Sequence, residues 1–464
     1  MCSRLKMKQN EMDETDRDKN IPKCDKLAKG IRHYSPNTFK YYMEQHIENV
    51  LNSYHMRIFR RNQLETELNR SNLPASYQLQ VRKFLIQKES NHIRLRRAKI
   101  NKDMFIELKT IGCGAFGEVA LVQRTERPNQ LFAMKTMRKS IVLKRNQMAH
   151  VKAERDIMAE ADNEWIVKLY FSFQDTKNLY LVMEYVPGGD LMSLLIKLEI
   201  FEESLVKFYA SELVMAIETV HKMGFIHRDI KPDNILIDVH GHIKLTDFGL
   251  CTGFRWTHDS KIYSNNIAKH ETEKKIKNLA DSKHLAFSIV GTPNYIAPEI
   301  LECKGYSESC DWWSLAVILY EMLVGRPPFC APTPDETQQK IINWQNTLQI
   351  PETISLGISD LIAKMLTSSE NRINCEQIKR HQVFDDIQFE TNILRQKTAP
   401  FIPPLKGPTD TSNFDTFSSK ESSLFIATDI DDIDSLGFIG YTYRRFFTSI
   451  EPTSFVESFV TNEN

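Results

Sequence analysis

From Phe39 through Met43, Ile47, Val50, Tyr54 and Ile58, apolar residues recur at steps of three or four, which predicts a helix whose other positions are polar. Pro74 interrupts the stripe, and a second one through Val81, Phe84, Leu85 and Ile93 predicts a partner helix, so residues 31–104 read as a helical hairpin. Between about 105 and 186 the pattern shortens to β-like runs at 118–123, 131–137 and 179–183, with one helix-like stretch around 147–161. After Gly188-Gly189-Asp190 it turns helical, as over 205–221. A small β-rich lobe (105–186) followed by a larger helical lobe (187–384) is the expectation, an α+β fold.

The flanks differ from this middle. Residues 1–30 are charged and lack apolar periodicity, which predicts disorder. A polar, Lys-rich stretch at 253–285 interrupts the large lobe, and residues 385–464 form an irregular tail, acidic and dotted with aromatics. No internal repeat is visible. For 464 residues the length prior gives two or three compact units plus regulatory segments.

Charge and cysteine narrow the function classes. Lys+Arg and Asp+Glu are both 60, and this balance argues against a general nucleic-acid binder. The eight Cys are scattered without Cys-x-x-Cys spacing, which predicts reduced thiols in a cytoplasmic or nuclear protein rather than a disulfide framework or zinc site. The polar first twenty residues and the lack of about 18 consecutive apolar residues disfavour secretion and membrane spanning.

Four residues carry the chemistry: Lys135, Asp229, Asn234 and Asp247, in that order. Upstream lies Gly112-Cys113-Gly114-Ala115-Phe116-Gly117. A Gly-x-Gly-x-x-Gly also marks dinucleotide-binding units, but there a helix follows and an acidic residue arrives about 20 positions later. Here a strand-like run follows, and the residue near that spacing is Lys135, so a β-hairpin folded over phosphates fits better. A buried Lys135 ammonium needs a carboxylate, and Glu154 is the candidate because Val151, Ile157 and Met158 put it on an inward helix face. In His227-Arg228-Asp229-Ile230-Lys231-Pro232-Asp233-Asn234, Asp229 would accept a hydroxyl proton and Lys231 would stabilise a transferring phosphoryl group. Asn234 and the Asp247 of Asp247-Phe248-Gly249 would supply oxygen donors to Mg²⁺. Phosphoryl transfer from ATP is the reading these residues support.

With Ala297-Pro298-Glu299 downstream, residues 105–384 resemble a eukaryotic protein kinase of the AGC group, which implies a bilobal kinase fold. Lys231 is the serine/threonine-kinase form of its position. The segments Phe254-Arg255-Trp256-Thr257-His258-Asp259-Ser260-Lys261, Gly291-Thr292-Pro293-Asn294-Tyr295-Ile296 and Cys310-Asp311-Trp312-Trp313-Ser314 are similar to the Warts, or large tumour suppressor, kinases of the Hippo pathway. The resemblance implies nucleotide contacts from Ile111, Gly112, Gly114, Gly117, Val119, Ala133 and Lys135, a hinge at Met183-Glu184-Tyr185-Val186 with Glu184 and Val186 in contact, and Asp247 below. It implies an Arg372–Glu299 pair in the large lobe. Asp190, Asp233 and Glu321 match positions that receive basic side chains upstream of the phosphoacceptor, with a Yorkie-type transcriptional coactivator as the family's expected target. Two departures, His381-Gln382-Val383-Phe384 and Leu315-Ala316, touch no catalytic position.

The resemblance also implies control. Ser288 would be a phosphorylation site, its phosphate pairing with Arg228; an upstream activating kinase is an implied partner, and the 253–285 insert would obstruct the site or serve as a plain linker. Residues 438–443 match the AGC hydrophobic motif, with Thr442 as phosphate acceptor and Phe438 and Tyr443 as docking aromatics. Arg57, Arg60 and Arg61 would bind an acidic Mob coactivator; the basic cluster at 94–99 is also readable as a nuclear address. A nuclear-Dbf-related kinase and a catalytically silent scaffold are the alternatives; a scaffold has no chemical need to keep Lys135, Glu154, Asp229, Asn234 and Asp247 together.

Overall fold

The structure, a computed structural model, describes residues 36–71, 73–97, 99–114, 117–145, 147–161, 163–253, 293–302, 307–415, 438 and 440–445. The stretch 1–30, most of the insert and Ser288 lie outside the described residues.

Helices α1 (Pro36–Arg70) and α2 (Ala75–Arg97) stand on either side of Pro74. Ion pairs join them: Arg82 Nε and Nη2 each donate to Glu65 at 2.8 Å, and Arg60 Nε donates to Glu89 at 2.8 Å. Met43, Ile47, Val50, Tyr54 and Ile58 stay exposed. The predicted stripe is therefore an outward surface rather than the seam of the hairpin.

The small lobe is a six-stranded antiparallel sheet in the order β1-β2-β3-β5-β4-β10. Its strands are β1 (Phe105–Gly114), β2 (Gly117–Arg124), β3 (Arg127–Arg138), β4 (Leu169–Gln174), β5 (Asn178–Glu184) and, from the tail, β10 (Tyr443–Arg444). Side chains alternate across a strand, so each strand serves two faces. Ala120, Val122, Phe132 and Met134 join Phe105, Phe171, Phe173 and Val182 in one cluster, while Leu121 and Ala133 join Ile111, with Val119, Leu131 and Phe414 against them, in the other. The register Val119↔Lys135 and Leu121↔Ala133 puts Lys135 on the second face, which turns toward the large lobe. Glycine is required at 117: a Cβ there would lie 1.7 Å from the Thr136 carbonyl oxygen. Helices α3 (Lys139–Lys144) and α4 (Met148–Glu160) connect β3 to β4.

The large lobe contains α5 (Leu191–Leu198), α6 (Glu203–Lys222), α7 (Pro298–Leu301), α8 (Ser309–Val324) and α9 (Leu356–Met365). Two small antiparallel two-stranded sheets pair β6 (Phe225–Ile226) with β9 (Thr252–Gly253), and β7 (Ile235–Ile237) with β8 (Ile243–Leu245). α8 is apolar nearly all round and buried on every side, as a helix at the centre of a lobe must be. Gly325, at φ +79°, closes it in the left-handed conformation. After the lobe, α10 (Thr391–Gln396) leads into the tail. The chain thus adopts the two-lobed α+β architecture the pattern predicts. Among the described residues no helix is long and apolar enough to cross a membrane.

Candidate active site

The two lobes meet over a constellation of charged side chains. Lys135 Nζ lies 2.6 Å from Glu154 Oε1 and 3.3 Å from Asp247 Oδ1. Glu154 is only 2% exposed, because its helix α4 also buries Val151, Ile157 and Met158. Burial works against a charged Lys135, but the Asp247 and Glu154 carboxylates more than offset it and hold the ammonium above its usual range. Lys135 in turn holds the Asp247 carboxyl below the ordinary Asp range. Asp247 has φ +56°, a strained conformation for a residue with a side chain, and its Oδ1 accepts from the Gly249 amide at 3.4 Å.

Asp229, Lys231 and Asn234 form the second group. Asp229 Oδ2 accepts from Lys231 Nζ at 2.8 Å and from Asn234 Nδ2 at 3.0 Å, and Asn234 Nδ2 also donates to the Asp229 carbonyl at 2.8 Å. The loop carrying them is fixed from below by Asp311, fully buried on α8. It accepts from the His227 amide at 2.9 Å, the Arg228 amide at 2.8 Å and His221 Nε2 at 2.7 Å. Burial alone would raise the Asp311 carboxyl, and the His221 and His227 bonds bring it below the usual range.

The donor chemistry of this cleft suits a hard dication. Asp247 is kept ionised, and the Asn234 amide nitrogen is committed to Asp229, which leaves its amide oxygen as the ligand atom. Above, Ile111, Val119, Leu121, Leu131 and Ala133 make an apolar ceiling, closed at one side by Tyr185 and Phe414. Val186 is buried at the hinge and Glu184 is held through its carboxylate. Gly112, Gly114 and Gly117 border the ceiling at the β1–β2 turn, whose residues 115 and 116 are not described.

The tail crosses this cleft. The Tyr185 hydroxyl donates to the Asp410 carbonyl at 2.5 Å, its ring stacks on Phe414 with centroids 6.1 Å apart, and Lys109 Nζ donates to Thr411 Oγ1 at 2.8 Å. At φ +79°, Gly189 sits so close to Asn413 that a Cβ would meet its carbonyl oxygen at 2.5 Å.

Asp190, Asp233 and Glu321 form an acidic group beside the cleft; burial raises the carboxyls of Asp190 and Glu321, and the nearby Asp233 charge adds to both shifts. Asp190 also caps α5 through the Ser193 amide at 2.7 Å. Glu321 accepts from the Tyr295 hydroxyl at 2.5 Å, and burial lifts its carboxyl above the usual range. Tyr295 carries no local sequence signal for this role, because its partner is 26 positions away.

The residues expected to be regulatory are placed more unevenly. Arg57 and Arg60 both engage Glu89 of α2, whereas Arg61 is exposed. Phe438 is fully buried, Tyr443 only partly, and Thr442 is exposed. The second anchor of the tail is Tyr441, fully buried, rather than Tyr443, which extends the sheet as part of β10. Arg155 of α4 donates to the Gly440 carbonyl, so the tail docks directly on the helix that carries Glu154.

Comparison with known proteins agrees with this geometry. The protein kinase domain family matches residues 105–384, and the protein kinase C terminal domain family matches 405–443. The chain is 55% identical over 452 residues to serine/threonine-protein kinase Warts of Drosophila melanogaster, covering 91% of this chain and 41% of that protein. It is 51% identical over 467 residues to human serine/threonine-protein kinase LATS2, covering 92% of this chain and 43% of the human protein. The Caenorhabditis elegans WARTS homolog is 44% identical over 451 residues, covering 91% of this chain and 49% of its own. The chain thus spans less than half the length of these relatives.

Proposed function

Since the chain belongs to the protein kinase family and resembles its Warts and LATS members over most of its length, we propose that it transfers the γ-phosphate of ATP to Ser or Thr side chains of proteins. The observation that carries this reading is the convergence of Lys135, Glu154 and Asp247 beside Asp229, Lys231 and Asn234.

In this reading Glu154 orients Lys135 toward the nucleotide phosphates. Asp229 orients the substrate hydroxyl and takes its proton, while Lys231, already on Asp229, moves to neutralise charge on the transferring group. Asp247 and Asn234 would hold Mg²⁺, which when bound supplies positive charge to the phosphate oxygens. The apolar ceiling of Ile111, Val119 and Ala133 would cover the adenine, with the hinge at Glu184 and Val186 alongside. Asp190, Asp233 and Glu321 favour substrates with basic residues before the phosphoacceptor, since a cation there relieves their mutual repulsion. Control would run through phosphorylation of Ser288 and Thr442, with an upstream kinase as an activating partner, and through a Mob coactivator at Arg57, Arg60 and Arg61. A Yorkie-type coactivator is the substrate the Warts resemblance suggests.

The test is a radiometric assay of the purified chain with Mg²⁺-ATP and a basic Ser peptide, with and without a Mob protein, beside Asp247→Ala. Mass spectrometry at Ser288 and Thr442 accompanies it. Peptide phosphorylation lost in Asp247→Ala supports the proposal; equal incorporation by both proteins refutes it.

A further inference from the structure

Behind the hinge a second set of charges gathers around one buried lysine. Lys244 of β8 is 4% exposed, yet no motif draws attention to it. Its Nζ lies 3.2 Å from Glu184 Oε1, donates to the Glu164 carbonyl at 3.2 Å and stands 3.9 Å from Glu164 Oε2. The other oxygen of Glu184 accepts from the Lys168 amide at 3.3 Å, and the Glu184 amide donates to the Lys168 carbonyl at 2.8 Å. Both carboxylate oxygens of this hinge residue are thus engaged. One is held by a large-lobe lysine and the other by the strand-like connection that follows α4.

The same connection is fixed to β8 through its backbone. The Leu245 amide donates to the Trp165 carbonyl at 2.8 Å, and the Val167 amide donates to the Leu245 carbonyl at 3.0 Å. Arg395 of α10 braces it from outside. Its guanidinium lies 4.1 Å from the Trp165 ring centroid, donates to the Glu164 carbonyl and to the Ile243 carbonyl at 2.7 Å, and meets Asp238 at 3.2 Å. Trp165 Nε1 adds a bond to Thr391 at 3.1 Å.

A buried lysine with no carboxylate partner is costly, so Lys244 has one well-satisfied arrangement, and it exists only while the hinge and the α4–β4 connection keep their present positions. We propose that Lys244 is a positioning residue for the nucleotide. It acts through Glu184, fixing the hinge against the large lobe, with Arg395 bringing the tail segment into the same lock. The inference rests on the kinase reading above, in which the hinge receives the adenine.

The test measures ADP affinity by calorimetry, and the KM for ATP and kcat by steady-state assay, for the full chain and for Lys244→Met, Lys244→Arg and Glu184→Gln. Lys244→Met is expected to raise both the ADP Kd and the ATP KM by about tenfold to a hundredfold, the effect of losing one bond to a charged group, while kcat at saturating ATP falls far less. Glu184→Gln, which keeps the side chain's size, should behave alike, the double variant should be no worse than either, and Lys244→Arg should recover most of the affinity. Nucleotide affinity unchanged in Glu184→Gln and Lys244→Met overturns the inference. Absence of Mg²⁺-dependent nucleotide binding by the unaltered chain would instead overturn the kinase reading, so the two failures are distinguishable.

Discussion

Lys135 and Glu154, 19 positions apart, form a 2.6 Å ion pair across two elements of the small lobe. Burial raises the Glu154 carboxyl above its usual range, a shift that Lys135 reduces without cancelling. The pair is useful only with Glu154 ionised. A raised carboxyl pKa means that acidification protonates Glu154 before ordinary glutamates, whereas Asp247, held low by Lys135, stays charged. We expect kcat/KM for ATP to fall as pH drops through a value above the ordinary 4.5 of glutamate. Glu154→Gln should remove that acid limb and lower the plateau about tenfold to a hundredfold, the effect of losing a charge-assisted bond. Initial-rate pH profiles of both proteins check this; an unchanged limb in the variant would assign it to another group.

Arg372 and Glu299 join the large lobe by two bonds, Nη1 to Oε1 at 2.7 Å and Nη2 to Oε2 at 3.1 Å, both residues being buried. Arg372 also donates to the Ser309 carbonyl at 2.8 Å and the Thr367 carbonyl at 2.9 Å. Arg372→Met leaves Glu299 as a buried, unpaired charge and should destabilise the fold by about 3–5 kcal/mol in urea unfolding. Adding Glu299→Gln to that variant should restore part of the loss, because the uncompensated charge is what costs most. Additive losses in the double variant would contradict this account.

How legible the site was depends on how local its signals are. Asp229, Lys231 and Asn234 lie within six residues, and the loop between them imposes their spacing, so sequence alone places them together. Lys135 and Glu154 required one further step, the inference that a buried lysine on a strand must find a carboxylate on an inward helix face. Tyr295 with Glu321, Lys109 with Thr411 and Lys244 with Glu184 carry no such signal, because each pair is assembled by tertiary packing between elements far apart in the chain. The two-residue strand β10 is too short to show a period. The hydropathy of α1 shows a stripe, but periodicity says nothing of whether a stripe is covered, and Met43, Ile47, Val50, Tyr54 and Ile58 are exposed.

Asp190 and Glu321 make the preference for basic substrates testable without disturbing the lobe. Asp190→Asn keeps the cap on α5, and Glu321→Gln keeps an acceptor for the Tyr295 hydroxyl, so each removes charge and little else. We expect each to raise the KM for a peptide with Arg upstream of the Ser by about tenfold, and to change the KM for a peptide without that Arg by less than about twofold. Matched peptide kinetics decide it; equal effects on both peptides would point to a folding role.

Tyr441 sets the strength of tail docking, and its hydroxyl works against it. The residue is fully buried, its ring lies 5.8 Å from the Arg155 guanidinium, and its carbonyl accepts from Ser172 Oγ at 2.5 Å. Its hydroxyl oxygen finds no hydrogen-bond partner among the described residues, and burial pushes its pKa well above the usual range. A buried hydroxyl without a partner costs about 1–3 kcal/mol, so Tyr441→Phe should dock the tail more tightly by about 1 kcal/mol or more. Phe438→Ala, which empties a fully buried ring site, should loosen it by about 3–5 kcal/mol. Hydrogen exchange along α4, which receives the tail through Arg155 and carries Glu154, reads both effects with opposite signs. Because Thr442 is exposed beside this anchor, the gain from Tyr441→Phe should persist in Thr442→Ala. Loss of protection in Tyr441→Phe would mean that the hydroxyl has a partner and that the aromatic contact alone does not hold the tail.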